Sequence, residues 1–161
     1  MAFETKLYIR FHHVDFARVV YFPRFFDYCH QVFEDFVQAE FGRSYHSLME
    51  KEGLGFPLVH AEADFKTPFR FGEIARVVLE IKHMGETSLS CLYTFFHEGT
   101  PPQEETLSQE GTPPHEGENV LKEAKEAAAR ITLVGSCIHL KQFKPTPIPE
   151  GWRSIFAKHC L

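Results

Sequence analysis

Between Phe22 and Phe41, apolar side chains stand at Phe22, Phe25, Phe26, Cys29, Phe33, Phe36, Val37 and Phe41, in steps of three and four. That spacing predicts a helix with one wide apolar face. Pro23 falls where a first helical turn tolerates a missing N–H, and Gly42 ends the run. A helix this long with rings along one side must be covered by another layer, so the remainder of the chain has to supply a broad apolar surface.

The flanking pattern supplies it as strands. Phe3, Leu7, Ile9 and Phe11 alternate with Glu4, Lys6, Tyr8 and Arg10, the period of a half-buried strand over residues 3–11. Ser44 reads as the N-cap of a second, short helix through Glu52, closed by Gly53. Residues 56–69 read as extended, with Val59, Ala61, Ala63 and Phe65 on one face. Pro68, Gly72 and Glu73 mark a turn, residues 74–83 and 87–97 two further strands joined at Gly85-Glu86, and 130–143 a last one. Pro145, Pro147 and Pro149 end the sheet, and residues 152–160 form a short terminal helix. One long helix set among antiparallel strands is an α+β layout.

At 161 residues the chain is expected to be one domain, 1–161. Residues 98–127 interrupt the last two strands: Glu98-Gly-Thr-Pro-Pro102 recurs as Glu110-Gly-Thr-Pro-Pro114, amid polar residues with no apolar face. That composition predicts a disordered insertion. The net charge of −5 is concentrated there, since residues 98–119 hold six Glu and no Lys or Arg, leaving the rest at about +1. No global field points to nucleic acid or an anionic membrane. Seventeen Phe is a heavy load for this length and points to a thick core or a large subunit interface. The four cysteines are scattered without a Cys-x-x-Cys pair, and no apolar run is long enough to span a bilayer, so reduced thiols in the cytoplasm are the expectation.

Asp15 is the first candidate for chemistry, because it lies in a short loop between a strand and the start of the long helix. Burial does not require an acid there. A carboxylate can act as nucleophile or as general base on water, while unpaired N–H groups at a helix start suit an oxyanion. The competing role for Asp15 is structural, capping the helix or pairing with Arg18. His12 and His13, adjacent on a strand, would point to opposite faces, so at most one joins Asp15 and a metal site is not expected. His60 shares a strand face with Glu62 and Asp64. There is no Gly-x-Ser-x-Gly elbow, Gly-rich phosphate loop or dinucleotide fingerprint.

The segment Asp15-x-x-x-x-Val20-Tyr21-Phe22, the long helix after it, the strands that follow and Pro68-Phe-Arg-Phe-Gly-Glu73 between the first two of them resemble the hotdog-fold acyl-CoA thioesterases of the 4-hydroxybenzoyl-CoA type. The likeness covers nearly the whole chain outside 98–127. It implies an antiparallel sheet wrapped around one central helix, and a homodimer or homotetramer with active sites at the dimer interface. It implies an aromatic or short acyl-CoA substrate, with Asp15 catalytic, the Phe22 backbone N–H as carbonyl donor and Tyr21 beside it. His13, Arg18, His60, Arg70, Lys82 and Ser88 are then candidates for substrate contact, with Arg76 also near the strand turn. No metal and no separate cofactor are implied, coenzyme A being part of the substrate. Many members carry Gly three residues after the catalytic Asp, where this chain has Arg18. That departure, with the acidic insertion, motivates a second reading: a non-catalytic hotdog protein that binds an acyl thioester or a partner. A hotdog dehydratase would need a His paired with an acid on another element, and no such pairing stands out.

Overall fold

The computed structural model describes residues 1–99 and 126–161, so the expected insertion falls almost wholly outside them. In chain order the elements are β1 (Phe3–Tyr8), a 3-10 turn (Phe11–His13), α1 (Arg24–Phe41), α2 (Tyr45–Glu52), β2 (Leu54–Gly55), β3 (Leu58–Phe65), β4 (Ile74–Met84), β5 (Ser88–Gly99), β6 (Ala129–Ser136), β7 (Ile138–His139), β8 (Lys144–Pro145) and α3 (Glu150–Ala157). Five strands form an antiparallel sheet in the order β1-β4-β5-β6-β3, and β2, β7 and β8 form a small second sheet. This is the hotdog arrangement, with α1 as the helix that the sheet wraps. Among the described residues no helix is long and apolar enough to cross a membrane.

Register explains which residues meet α1. Leu79, Val77 and Ala75 of β4 pair with Phe3, Thr5 and Leu7 of β1 on one side and with Tyr93, Phe95 and His97 of β5 on the other. Cys91, Tyr93 and Phe95 in turn face Leu133, Ile131 and Ala129 of β6. Alternate residues of every central strand therefore share one inner face, and α1 lays Phe25, Tyr28, Cys29, Val32, Phe36 and Val37 on it. Phe36 is fully buried, and its ring meets Phe3 at 5.6 Å and Phe156 at 6.1 Å between centroids. The first turn of α3 adds Trp152, which packs on Phe41 and Phe56.

Element ends differ from the sequence expectations for local reasons. The helix begins at Arg24 rather than Phe22, with Pro23 as its N-cap, because Tyr21 is held outside by its N–H to the His13 carbonyl (3.1 Å). β1 stops at Tyr8, and His12 and His13 lie on a 3-10 turn with ring centroids 4.2 Å apart, so the opposite-face argument made for a strand does not apply to them. β3 is shorter than 56–69, since the N–H groups of Lys66 and Thr67 both turn to the Ala128 carbonyl. A bulge between Leu58 and His60 disturbs its alternation, yet Ala61, Ala63 and Phe65 keep to the inner side opposite Leu133, Ile131 and Ala129. The final strand breaks after Ser136, and α3 starts two residues earlier than expected. Gly42 and Gly53 close α1 and α2 in the left-handed conformation, φ 68° and 66°.

The five-stranded sheet ends in two edge strands, β1 and β3. β3 is an edge, and both of its faces are largely exposed, including Leu58, Val59 and Phe65. A natural edge strand with apolar side chains and no cover is a pairing surface.

If α1's ring face carries the fold, Phe36→Ala should cost about 3–5 kcal/mol, the range for emptying a fully buried Phe site. Chemical denaturation at constant m-value measures it, and a loss below about 1 kcal/mol would place the main packing elsewhere.

Candidate functional site

Asp15 sits in a tight loop closed by backbone pairing. Its N–H donates to the Val19 carbonyl (3.0 Å), and the Arg18 N–H donates back to the Asp15 carbonyl (2.9 Å). Val14 and Val20 form an antiparallel bridge across the loop's base. One carboxylate oxygen of Asp15 accepts from the Ala17 N–H at 2.8 Å, a local Asx turn. The Asp15 side chain therefore neither caps α1 nor pairs with the Arg18 guanidinium, and its other oxygen has no partner among the described residues. The residue itself is exposed.

Arg18 adopts φ 63°, the left-handed region. This is the conformation that glycine takes freely and that costs an ordinary residue about 1–2 kcal/mol. The loop thus keeps the shape a glycine would permit and carries a cation in that place. Its guanidinium is exposed and unpaired among the described residues.

At the start of α1 the amides sort themselves out. Arg24, Phe25 and Phe26 N–H groups are taken by the carbonyls of Tyr21, Phe22 and Pro23, at 2.8, 3.1 and 3.1 Å, and Tyr21's goes to His13. Pro23 has no N–H. Phe22 is left as the one amide in this stretch without a partner among the described residues, and its side chain is exposed. An unclaimed amide ahead of a helix's positive end is a position where a donor can meet an anion.

His13 sits under the loop, its Nδ1 accepting the Arg10 N–H at 3.1 Å and its ring edge-on to Tyr28 at 5.2 Å. The Tyr28 hydroxyl is buried and has no hydrogen-bond partner among the described residues, and burial raises its pKa. The turn after β3 locks onto the same loop, with Val19 bridged to Arg70 and the Val20 N–H on the Phe69 carbonyl at 2.8 Å. Arg70 thereby joins Asp15, Arg18, Tyr21, Phe22 and His13 at one end of the protomer.

The other expected contacts lie elsewhere. His60 pairs with Val134 on the sheet face away from α1, together with Glu62 and Asp64, because β3's alternation sends them outward. Lys82 is exposed in a bulge of β4 between Ile81 and His83, eight residues beyond Ile74 and so about 27 Å from the Arg70 turn. Arg76 is committed to Glu4 and Glu98, both at 3.3 Å, and lies over the Phe96 ring at 4.4 Å. Ser88 opens β5 at the end opposite the Asp15 loop.

Near that opposite end lies an apolar cavity of about 100 Å³ between α1 and the sheet, lined by His30, Phe33, Tyr45, Leu58, Leu89 and Tyr93 among others. The Tyr45 hydroxyl accepts the Phe56 N–H there at 3.3 Å. The cavity is smaller than the roughly 150 Å³ apolar cavity that takes a benzene ring, which leaves no room for a long acyl chain within one protomer. Its walls come from five separate elements, so no local pattern along the chain marks it. The same holds for a brace under the Arg70 turn, where the His97 ring stacks on Phe69 at 4.1 Å, with Nε2 3.0 Å from Thr67 Oγ1 and Nδ1 3.4 Å from Glu73 Oε2. Three of the four thiols are withdrawn from solvent: Cys29, Cys91 and Cys137 are buried, and burial pushes the Cys91 thiol up to about 12, while Cys160 is exposed.

The family model described as "Thioesterase-like superfamily" matches residues 9–156. The 1,4-dihydroxy-2-naphthoyl-CoA hydrolase of Synechocystis is 26% identical over 152 residues, covering 94% of this chain and 91% of that protein. The hydrolase of the same name from Crocosphaera subtropica is 31% identical over 90 residues, a match covering 56% of this chain and 65% of that protein. In structure, a 1,4-dihydroxy-2-naphthoyl-CoA thioesterase from Synechocystis superposes with a TM-score of 0.74 at 24% identity, over 98% of this chain and 96% of that one.

His13 yields a pH prediction. Burial lowers its pKa first, helped by the charges of His12, Arg24 and Arg10 and opposed by Asp27. In the unfolded chain it titrates near 6.5. Between the lowered folded value and 6.5 the unfolded state binds more protons, so stability falls as pH drops through that window. His13→Gln should shrink the difference in Tm between about pH 7.5 and about pH 5.5; an unchanged difference would remove His13 as its source.

Proposed function

The chain belongs to the thioesterase-like superfamily, and on that premise we propose an acyl-CoA thioesterase that hydrolyses an aromatic or short acyl-CoA to the free acid and CoA. The observation that carries the reading is that Asp15, with one carboxylate oxygen unclaimed, and the Phe22 N–H, the one unclaimed amide of the stretch before α1 among the described residues, stand at the same end of the protomer. The amide N–H donates to the thioester carbonyl oxygen, and negative charge grows on that oxygen as the reaction proceeds. Asp15 either attacks the carbonyl carbon and displaces CoA as its thiolate, leaving a mixed anhydride that water then cleaves to the free acid, or takes the proton from a water that attacks the carbonyl carbon and expels the thiolate. Tyr21 borders the approach, and Arg18 supplies positive charge beside it.

The acyl group's place follows from the exposed β3 edge. Along α1 the cavity at His30 lies eight residues from Phe22, about 12 Å away in the same protomer. Antiparallel pairing of β3 with β3 of a second copy brings the Leu58 end of one strand to the Phe65 end of the other. Phe65 packs on Phe25 at 5.0 Å between centroids, three residues past Phe22. The cavity of one protomer then opens toward Asp15 of its partner, and the site is completed by dimerisation. The size of that cavity weighs against a long acyl tail. The hydrolases of 1,4-dihydroxy-2-naphthoyl-CoA among its relatives make aryl-CoA esters the first substrates to offer.

Release of free CoA from a panel of aryl-, short- and long-chain acyl-CoAs tests the chemistry. Asp15→Asn should lower kcat by at least about 100-fold with little change in KM. Turnover that survives the change would move catalysis away from Asp15, and no turnover on any ester would favour a binding protein. Light scattering tests the edge: we expect two or four copies for the wild type and a lower mass for Val59→Lys with Phe65→Lys. A monomeric wild type with full activity would sink the composite site.

A further inference from the structure

β5 sends Cys91, Tyr93 and Phe95 to its inner face, and the next residue in that row is His97. The first three are buried core, whereas His97 is polar and its side chain keeps 37% of its exposure. Its ring contacts among the described residues all go to one short stretch, the turn between β3 and β4. The ring lies on Phe69, with centroids 4.1 Å and planes 31° apart. Nε2 stands 3.0 Å from the Thr67 hydroxyl and Nδ1 3.4 Å from Glu73 Oε2. A carboxylate only accepts, so Nδ1 carries the proton in that contact, and Nε2 of the neutral ring then accepts from the hydroxyl.

This turn is the one that holds the Asp15 loop. The same Glu73 Oε2 accepts the Arg70 N–H at 3.0 Å, and the Glu73 N–H donates to the Arg70 carbonyl at 3.2 Å. Arg70 bridges to Val19, and the Phe69 carbonyl accepts the Val20 N–H at 2.8 Å. The Val19 carbonyl in turn accepts the Asp15 N–H at 3.0 Å. On the β1 side the Ile9 N–H donates to the Glu73 carbonyl and the Gly72 N–H to the Ile9 carbonyl, both at 2.9 Å. Ile9 therefore fixes the far end of the turn. The near end, Phe69 and Arg70, lies under the imidazole, which covers one residue and orients the carboxylate that takes the N–H of the other.

We propose that His97 is a positioning residue for the hydrolysis: it sets the Phe69–Arg70 end of the turn and, through the pairing of Val19 and Val20, the place of the Asp15 carboxylate relative to the Phe22 amide. His97 touches neither the substrate nor the reacting atoms. The amide is fixed by α1 and the carboxylate by this turn, so a shift of the turn changes their separation, and a misplacement of about 1 Å can cost up to about 10²-fold in rate. The effect on rate rests on the thioesterase reading, but the effect on the loop does not.

Thiol-release kinetics on an aryl-CoA, amide hydrogen exchange of the full chain followed by NMR, and thermal melts test the assignment on three variants. His97→Phe keeps a ring on Phe69 and loses both polar contacts. His97→Gln offers an N–H to Glu73 and a carbonyl to Thr67, so it restores them. Thr67→Val removes one hydroxyl with little change of shape, and serves if His97→Phe does not fold. His97→Phe should lower kcat roughly tenfold with KM within about twofold, and Thr67→Val should lower it about threefold. In both, the Asp15 and Val20 amides should exchange faster relative to those of β4 and β5. His97→Gln should stay close to wild type in rate and exchange. A lower Tm with kcat of the folded enzyme unchanged would make His97 a stability residue only and overturn the proposal. His97→Gln as impaired as His97→Phe would overturn it too, since the polar contacts would not be the cause. Should the wild type hydrolyse no ester, the thioesterase reading falls and exchange decides: faster loop exchange in His97→Phe, restored in His97→Gln, would still support the brace on the Asp15 loop. Unchanged exchange at both amides overturns it whatever the rate does.

Discussion

Phe25, Tyr28, Val32, Phe36 and Val37 leave water together when α1 settles on the inner face of the sheet. Each such side chain contributes about 1.5–3 kcal/mol when fully buried. No other element in the described residues presents a comparable apolar face to the central strands. The consequence for function is positional. Because α1 is held by rings along its length, its first turn is fixed in space, and the amide of Phe22 just ahead of it points from a rigid support. A donor that must meet a developing charge needs that rigidity more than it needs strength.

The Asp15 loop depends on the same support from the other side. It is tied down by the Val14–Val20 and Val19–Arg70 bridges, so the carboxylate rides on a short backbone ladder rather than a free loop. Arg18 in the left-handed region shows that the ladder sets the shape and the side chain follows. The strain of about 1–2 kcal/mol is tolerated because the surrounding pairing over-determines the turn. In return, a cation stands beside the acid where a glycine would leave open space.

Much of this was legible in the chain. The three- and four-residue spacing of Phe22–Phe41 announced α1, and the alternation over residues 3–8 announced β1. Asp15 stood out because an acid between a strand and a helix start satisfies no core. Other features could not be read. His60 and Lys82 looked like site residues by position along their strands, but pleat and bulge turned one outward and put the other about 27 Å from Arg70. The 3-10 turn at Phe11–His13 broke a strand pattern that ran on by composition alone, and it is that turn which brings His13 beneath the loop.

Sequence by itself determined the layers and singled out the acid as a candidate, since helical and strand periods are local properties of the side-chain order. It also limited the chemistry, because no nucleophile motif competed with Asp15. Tertiary structure alone decided which amide is unclaimed, which arginines are unpaired and where the cavities lie. Those depend on residues far apart in the chain, such as Thr67 with His97 or Phe11 with Phe71, whose meeting is set by strand register and not by spacing. The exposed β3 edge belongs to the same class: in the sequence its apolar residues read only as one face of an extended segment, and the strand order leaves them at the border of the sheet.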